Sequence, residues 1–228
     1  MSCSLVCITG IDTDIGKTIV TGLLGRYLLD RGAKVITQKI VQTGCRGISE
    51  DIVEHRRIMG LELLPEDKSG LTCPYVFPDP CSPHLAASLA GGEIDGQRIS
   101  AATKELGKSY DHIILEGVGG LYVPLNRNAT LVDYLQEKNM PLILVSSNRL
   151  GSINHTLSAL EIIKQKGLEL RGIVYNRYLV VDKSIEEDSR EIFKQALRQR
   201  GFAECLIDCY PLEDYMRNER DIDFSPLF

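Results

Sequence analysis

Gly16, Lys17 and Thr18 close the stretch Gly10–Thr18, G-I-D-T-D-I-G-K-T, and these residue types in this order are suited to holding a polyphosphate. Glycines let backbone N–H groups curl around phosphate oxygens with no Cβ in the way. A lysine then bridges the terminal phosphates, and a threonine hydroxyl reaches Mg²⁺. The stretch reads as a phosphate-binding loop of the G-x-x-x-x-G-K-T form. Its context fits: the Val/Ile-rich run Ser4–Thr9 enters it and a helical pattern leaves it.

Glu116 closes a second apolar run, H-I-I-L-E, and Gly117-Val118-Gly119-Gly120 follow. In phosphate-loop enzymes an acid at the end of a buried strand commonly approaches the Mg²⁺ of the nucleotide. Glycines after it allow a ligand to come close. Lys39 ends a third apolar run inside Q-K-I-V-Q-T-G. By residue type alone it is a surface charge and Asp51 is a helix start. Thr43, Ser152 and Asn154 are unremarkable in isolation. His55, His84, His112 and His155 share no metal-ligand spacing and read as structural or solvated.

The elements that must carry these residues alternate. Helical spacing predicts helices over Lys17–Asp30, near Asp51–Met59, and over Ile99–Gly107, Leu131–Glu137, Ser152–Gly167 and Ile185–Arg200. Short apolar runs predict strands over Ser4–Thr9, Lys34–Val41, Asp111–Glu116, Pro141–Ser146, Gly172–Tyr175 (ending at Asn176) and Cys205–Cys209. Strands apolar on both faces, alternating with helices, imply an α/β protein whose mostly parallel sheet has helices on both faces. Residues 1–228 read as a single domain, a length one α/β domain can reach. Ligands of such sheets sit at the carboxyl ends of the strands, where the loops at Gly10, Val41, Glu116, Ser147 and Asn176 all fall. The long Gly/Pro-punctuated connection from Gly44 to Pro83 is of a kind that often serves a site.

Composition narrows the partners. With 26 basic and 31 acidic residues the formal net charge is -5, and no basic run exists beyond Arg56-Arg57, which speaks against nucleic acid. The seven cysteines form no C-x-x-C and are expected to be free thiols. No apolar run approaches the length of a membrane span, so no membrane partner is expected and a cytoplasmic location is the default reading.

Taken together, G-I-D-T-D-I-G-K-T, Q-K-I-V-Q-T-G, P-Y-V-F-P-D-P-C-S-P-H, L-E-G-V-G-G-L-Y-V-P-L and L-G-S-I-N-H-T-L resemble the dethiobiotin synthetase family, in order and in separation, from Leu5 to Asn176. The resemblance implies a phosphate-loop NTPase fold and a homodimeric, ATP- and Mg²⁺-dependent ligase. Such an enzyme converts 7,8-diaminononanoate and CO₂ to dethiobiotin through a carbamate and a carbamic–phosphoric anhydride. It further implies that Lys17 and Lys39 flank the carbamate and γ-phosphate, and that Thr13 and Thr43 bind the carbamate or amine. Thr18, Asp51 and Glu116 would hold Mg²⁺. Asp14, Gly16, Gly117 and Gly119 would lie along the nucleotide, Asn176 would read the adenine edge, and Pro211 and Leu212 would line its pocket. Ser152 and Asn154 would receive the substrate carboxylate from the partner subunit. Two residues depart from the family pattern: Ile40 stands where proline is usual, and Asp14 is the shorter acid.

Two other classes share the loop. Partitioning-type ATPase switches carry an additional lysine, K-G-G-x-G-K-T, where this chain has Asp12. Cobyrinate-type amidating ligases need an ammonia source, usually a further glutaminase domain for which the chain has no room.

Overall fold

The computed structural model describes residues 3–228. Strands β1 (Ser4–Gly10), β2 (Val35–Lys39), β3 (Gln42–Thr43), β4 (Val76–Phe77), β5 (His112–Gly120), β6 (Leu142–Ser147), β7 (Leu170–Asn176) and β8 (Leu206–Cys209) are joined mainly through helices. The helices are α1 (Lys17–Leu29), α2 (Glu50–Met59), α3 (Pro65–Lys68), α4 (Pro83–Leu89), α5 (Gly96–Leu106), α6 (Leu131–Glu137), α7 (Ser152–Gln165), α8 (Lys183–Arg200) and α9 (Leu212–Met216). Six strands form one sheet in the order β2-β5-β1-β6-β7-β8, and every adjacent pair is parallel. Strands β3 and β4 make a small parallel pair of their own.

The central strands β1, β6 and β7 are buried on both faces because most of their residues are apolar. Val6, Ile8, Ile114, Ile143 and Val174 pack with Val20, Leu23, Leu24 and Ile58 of α1 and α2. Cys7, Leu115, Leu142, Leu144 and Ile173 pack on the opposite face with Ile99, Leu135, Leu160 and Phe193 of α5 to α8. The expected three-layer α/β architecture is therefore present, with one hydrophobic layer on each side of the sheet.

The structure departs from the sequence reading at two strand ends. Strand β5 does not stop at Glu116 but runs to Gly120, which pairs with Gly10 after an irregularity in the register between Ile8 and Gly10. The glycines after Glu116 are accommodated as a bulged continuation, with Gly119 at φ 55°. Strand β2, conversely, ends at Lys39, two residues before the expected Val41. The Ile40 N–H still donates to the Glu116 carbonyl of β5 (3.0 Å), while on the open side of this edge strand the Lys39 N–H donates to the Thr72 carbonyl (2.7 Å). The connection Gly44–Pro83 holds α2 as expected, and also α3 and β4, which are too short to show a period.

Candidate active site

Strand β1 delivers the chain to the N-terminus of α1 through the loop Ile11–Gly16. Five residues, Ile11 to Ile15, separate Gly10 from Gly16. The loop is thus one residue longer than the strict G-x-x-x-x-G-K-T form, and Gly10 belongs to the strand. Gly16 (φ 94°) and Asp14 (φ 55°) both take the left-handed conformation that curls the backbone ahead of the helix. The N-terminus of α1 contributes backbone N–H groups and a positive dipole end suited to an anion. Lys17 lies over the loop and donates to the Asp12 carbonyl at 2.6 Å. Burial and the neighbouring Lys39 charge push its pKa down to about 8.

The loop opens into a cleft of about 660 Å³ at the carboxyl ends of β1, β2 and β5. Thr13, Asp14, Gly16, Lys17, Thr18, Lys39, Thr43, Asp51, Glu116 and Gly119 all line it, so ten of the expected site residues converge in one place. Pro80, Cys81, Ser82 and Pro83 form the facing wall, at the start of α4.

Within the cleft the charges are tightly paired. Lys39 and Glu116 are register partners on adjacent parallel strands, and the Lys39 Nζ lies 2.7 Å from Glu116 Oε1. It also lies 2.5 Å from Asp51 Oδ2, presented by the first turn of α2. The Thr18 hydroxyl donates to the same Glu116 Oε1 at 3.0 Å. Burial alone would raise the Glu116 carboxyl, but the Lys39 ammonium and the His55 ring beside it reverse that and hold it below the usual carboxylate range. Burial would lower the Lys39 ammonium in turn, and the two carboxylates hold it above its ordinary value. A lysine at a strand end that looked like a surface charge is thus 5% exposed and neutralised from two sides.

Of the structural or solvated roles expected for His55, the structure excludes the solvated one: the ring is buried, its Nε2 2.6 Å from Glu116 Oε2 and its Nδ1 3.0 Å from the Thr37 hydroxyl. The signal was available, since Asp51 and His55 stand at i and i+4 and share one face of α2. Arg56, adjoining it, is equally buried and forks onto both oxygens of Asp67 at 2.9 Å.

The remaining expected residues lie outside this cleft. Gly117 faces the core, where an added Cβ would meet Leu131 at 3.0 Å. Asn176, at the end of β7, donates from Nδ2 to the Ile15 carbonyl at 2.9 Å and packs against Gly16. Pro211 and Leu212 follow β8, whose Cys209 is the register partner of Asn176, so they stand beside it at the same sheet edge. Ser152 is buried and its hydroxyl meets that of Ser147 at 2.9 Å. Asn154 is solvent-exposed on α7. A residue not anticipated, Arg149, reaches the loop and pairs with Asp12 at 2.5 Å. Among the described residues no group of three or more His, Cys, Asp or Glu side chains is placed to hold a metal unaided.

A family model described as an AAA domain matches residues 5–202. The chain is 52% identical over 207 residues to a Chlorobaculum tepidum protein named ATP-dependent dethiobiotin synthetase, covering 91% of this chain and 87% of the relative. It is 50% identical to a Pasteurella multocida protein of the same name, covering 84% and 90%. To a third, from Halalkalibacterium halodurans, it is 38% identical, covering 82% and 78%. Among solved structures it is similar in fold to a ParA family ATPase from Chlorobium tepidum, with TM-score 0.54 and 14% identity over 95% of this chain and 87% of that one. A second ParA, solved bound to nonspecific DNA, gives TM-score 0.51 and 11% identity over 90% and 79%.

Proposed function

Because the chain belongs to the ATP-dependent dethiobiotin synthetase family, we propose that its cleft closes the ureido ring of dethiobiotin from 7,8-diaminononanoate, CO₂ and ATP. The observation that carries the reading is the pair Lys17 and Lys39, two cations from different elements lining one cleft at the phosphate loop. A carbamate brought against a triphosphate places anion beside anion, and two fixed ammonium groups offset that repulsion and the charge that develops on transfer.

The residues act in sequence. The backbone of Gly16 to Thr18 and the Lys17 ammonium seat the β- and γ-phosphates. Lys39, held at the junction of β2 and β5, orients the carbamate formed on one substrate amine. Thr13 and Thr43, both lining the cleft, hydrogen-bond the carbamate and the amines. The carbamate oxygen attacks the γ-phosphorus and ADP leaves. The second amine then attacks the carbamoyl carbon of the mixed anhydride and expels phosphate. Walls of Pro80 to Pro83 limit water, which would hydrolyse the anhydride.

The donor set suits Mg²⁺. The Thr18 hydroxyl and Glu116 Oε1 are 3.0 Å apart, and Asp51 Oδ2 meets the same Lys39 Nζ as Glu116. These are hard oxygen ligands with only two carboxylates, the pattern of an ion that takes its other ligands from phosphate and water. Held by Thr18, Asp51 and Glu116, the ion would neutralise phosphate charge as ADP departs. Asn176 beside Pro211 and Leu212 would meet the base. Ser152 and Asn154, outside this chain's own cleft, would serve the substrate carboxylate of a second copy, making the working unit a homodimer. No helix among the described residues is long and apolar enough to cross a membrane, and the soluble small-molecule substrates suit a cytoplasmic location.

The test is ADP release from MgATP and bicarbonate, with and without 7,8-diaminononanoate, with the product followed by mass spectrometry. Diamine-dependent ADP release matched by dethiobiotin is expected. Turnover indifferent to the diamine, with no ureido product, would overturn the reading.

A further inference from the structure

Glu116 presents its two carboxylate oxygens to different surroundings. Oε1 faces the cleft and accepts from Thr18 (3.0 Å) and Lys39 (2.7 Å). Oε2 faces inward and meets only the His55 ring, through Nε2 at 2.6 Å. That ring is fully buried, and its other nitrogen contacts the Thr37 hydroxyl at 3.0 Å. Thr37 Oγ1 in turn accepts from Arg56 Nη1 at 2.8 Å. Arg56 is itself immobilised by its fork onto Asp67, which the Leu64 N–H and the Thr72 hydroxyl hold at 2.8 Å each.

The carboxylate sets the direction of its own contact. An ionised carboxylate only accepts, so the ring nitrogen that faces Glu116, Nε2, carries a proton and donates to it. The Thr37 oxygen accepts from Arg56, which only donates, and with a second lone pair and one proton it serves as the partner of His55 Nδ1 in either sense. Each polar group along Arg56, Thr37, His55 and Glu116 Oε2 thereby has a partner.

We propose that His55 is a positioning residue for Glu116: the series Asp67, Arg56, Thr37 and His55 anchors one carboxylate oxygen so that the other is presented to Thr18 and the nucleotide-bound metal in a fixed orientation. The proposal rests on the metal-holding role assigned to Glu116 above. Nothing in residue type demands a histidine here for packing, since the same volume could be filled by leucine with no buried polar atoms to satisfy. A histidine with both nitrogens engaged, one on a carboxylate of the site, is the arrangement by which proteins orient groups that hold a metal from behind.

The test measures ADP binding by calorimetry across a Mg²⁺ series, a readout separate from turnover. In the unaltered protein, tightening of ADP by Mg²⁺ establishes the underlying reading; ADP binding indifferent to Mg²⁺ would sink that reading and this proposal with it. His55→Leu is expected to raise the Mg²⁺ concentration at half effect about 10–100-fold, the usual consequence of losing such a partner, with ADP affinity in the absence of metal unchanged. His55→Gln, whose Nε2 can still donate to Glu116, should recover most of the loss. An unshifted Mg²⁺ dependence in His55→Leu, or a Gln variant as impaired as the Leu one, would overturn the positioning role while leaving the function reading intact. Should His55→Leu fail to fold, ¹⁵N imidazole shifts of the unaltered protein decide: a proton on Nε2 is expected, and a ring with Nε2 unprotonated overturns the assignment.

Discussion

The Lys39 ammonium stands between two carboxylates, 2.5 Å from Asp51 and 2.7 Å from Glu116, so removing it sets two anions facing each other in a buried site. Lys39→Ala is therefore expected to lower kcat for dethiobiotin about 10²–10³-fold, the scale of losing one preorganised electrostatic group, while ADP affinity changes little. Rapid-quench and equilibrium binding measurements on the same variant check this, and equal loss of both would argue against a role at the carbamate. Asp67 is the residue on which Arg56 depends, and the pair is almost completely buried. Asp67→Leu should cost about 3–5 kcal/mol of unfolding free energy, because an unpaired guanidinium remains inside; the urea midpoint reports it. What was legible at this scale was whatever the phosphate loop dictates. Lys17 and Thr18 follow from the loop alone. Lys39 and Asp51 needed the resemblance, because a lysine at a strand end and an aspartate at a helix start have common bland uses. For His55 the spacing to Asp51 gave the shared helix face but not the contact, because its partner Glu116 stands 61 positions away.

Helices α1 and α2 meet closely enough that glycine is required on one side. A Cβ on Gly22 would lie 2.9 Å from the branched Cβ of Ile58, whereas on Gly25 it would meet the flexible Met59 thioether at 2.8 Å. Gly22→Ala should therefore destabilise by about 1–3 kcal/mol through overpacking, and Gly25→Ala by clearly less, as compared in thermal melts. Because α2 also carries Asp51 and His55, the Gly22 change should weaken Mg²⁺-dependent ADP binding as well. Helix α6 gives a pH prediction. Its capping box ties Asp133 to Thr130, and Lys166 pairs with it at 2.8 Å. The Lys166 and Thr130 hydrogen bonds bring the Asp133 carboxyl down to about 2. A folded-state pKa below the unfolded one stabilises above the unfolded value and loses that contribution as pH falls toward 2. Asp133→Asn should accordingly flatten the acid limb of the melting curve between about pH 4 and 2. Long elements were legible because amphipathic helices and doubly buried strands leave a period. Strands β3 and β4, of two residues each, leave none, and the glycines at the end of β5 carry no side chains to show an apolar run, although pairing with β1 carries the strand on to Gly120.

At the scale of the molecule, the sheet order and parallel pairing place the loops after β1, β2 and β5 at one end of the sheet, while Ser152 and Asn154 on α7 lie outside the cleft. If a second copy supplies them, mixing Lys39→Ala with Asn154→Ala subunits should restore dethiobiotin formation at limiting diamine, since half of such a dimer's sites would be intact. No recovery after verified subunit exchange would sink the shared-site reading. The ParA-like fold adds nothing to function here, and the loop itself differs from the switch pattern, with Asp12 paired to Arg149. The β2–β5 register, Lys39 opposite Glu116, has a practical corollary. Strand residues alternate between faces, so slipping β2 by a single position would turn Lys39 away from Glu116 and bury it among apolar side chains. A molecule with that error could keep near-native secondary structure and pass a circular-dichroism check, yet it would form no product. Turnover per mole of chain, set against nucleotide-binding stoichiometry, is then sensitive to the threading of the sheet in a way that a helix-content measurement is not.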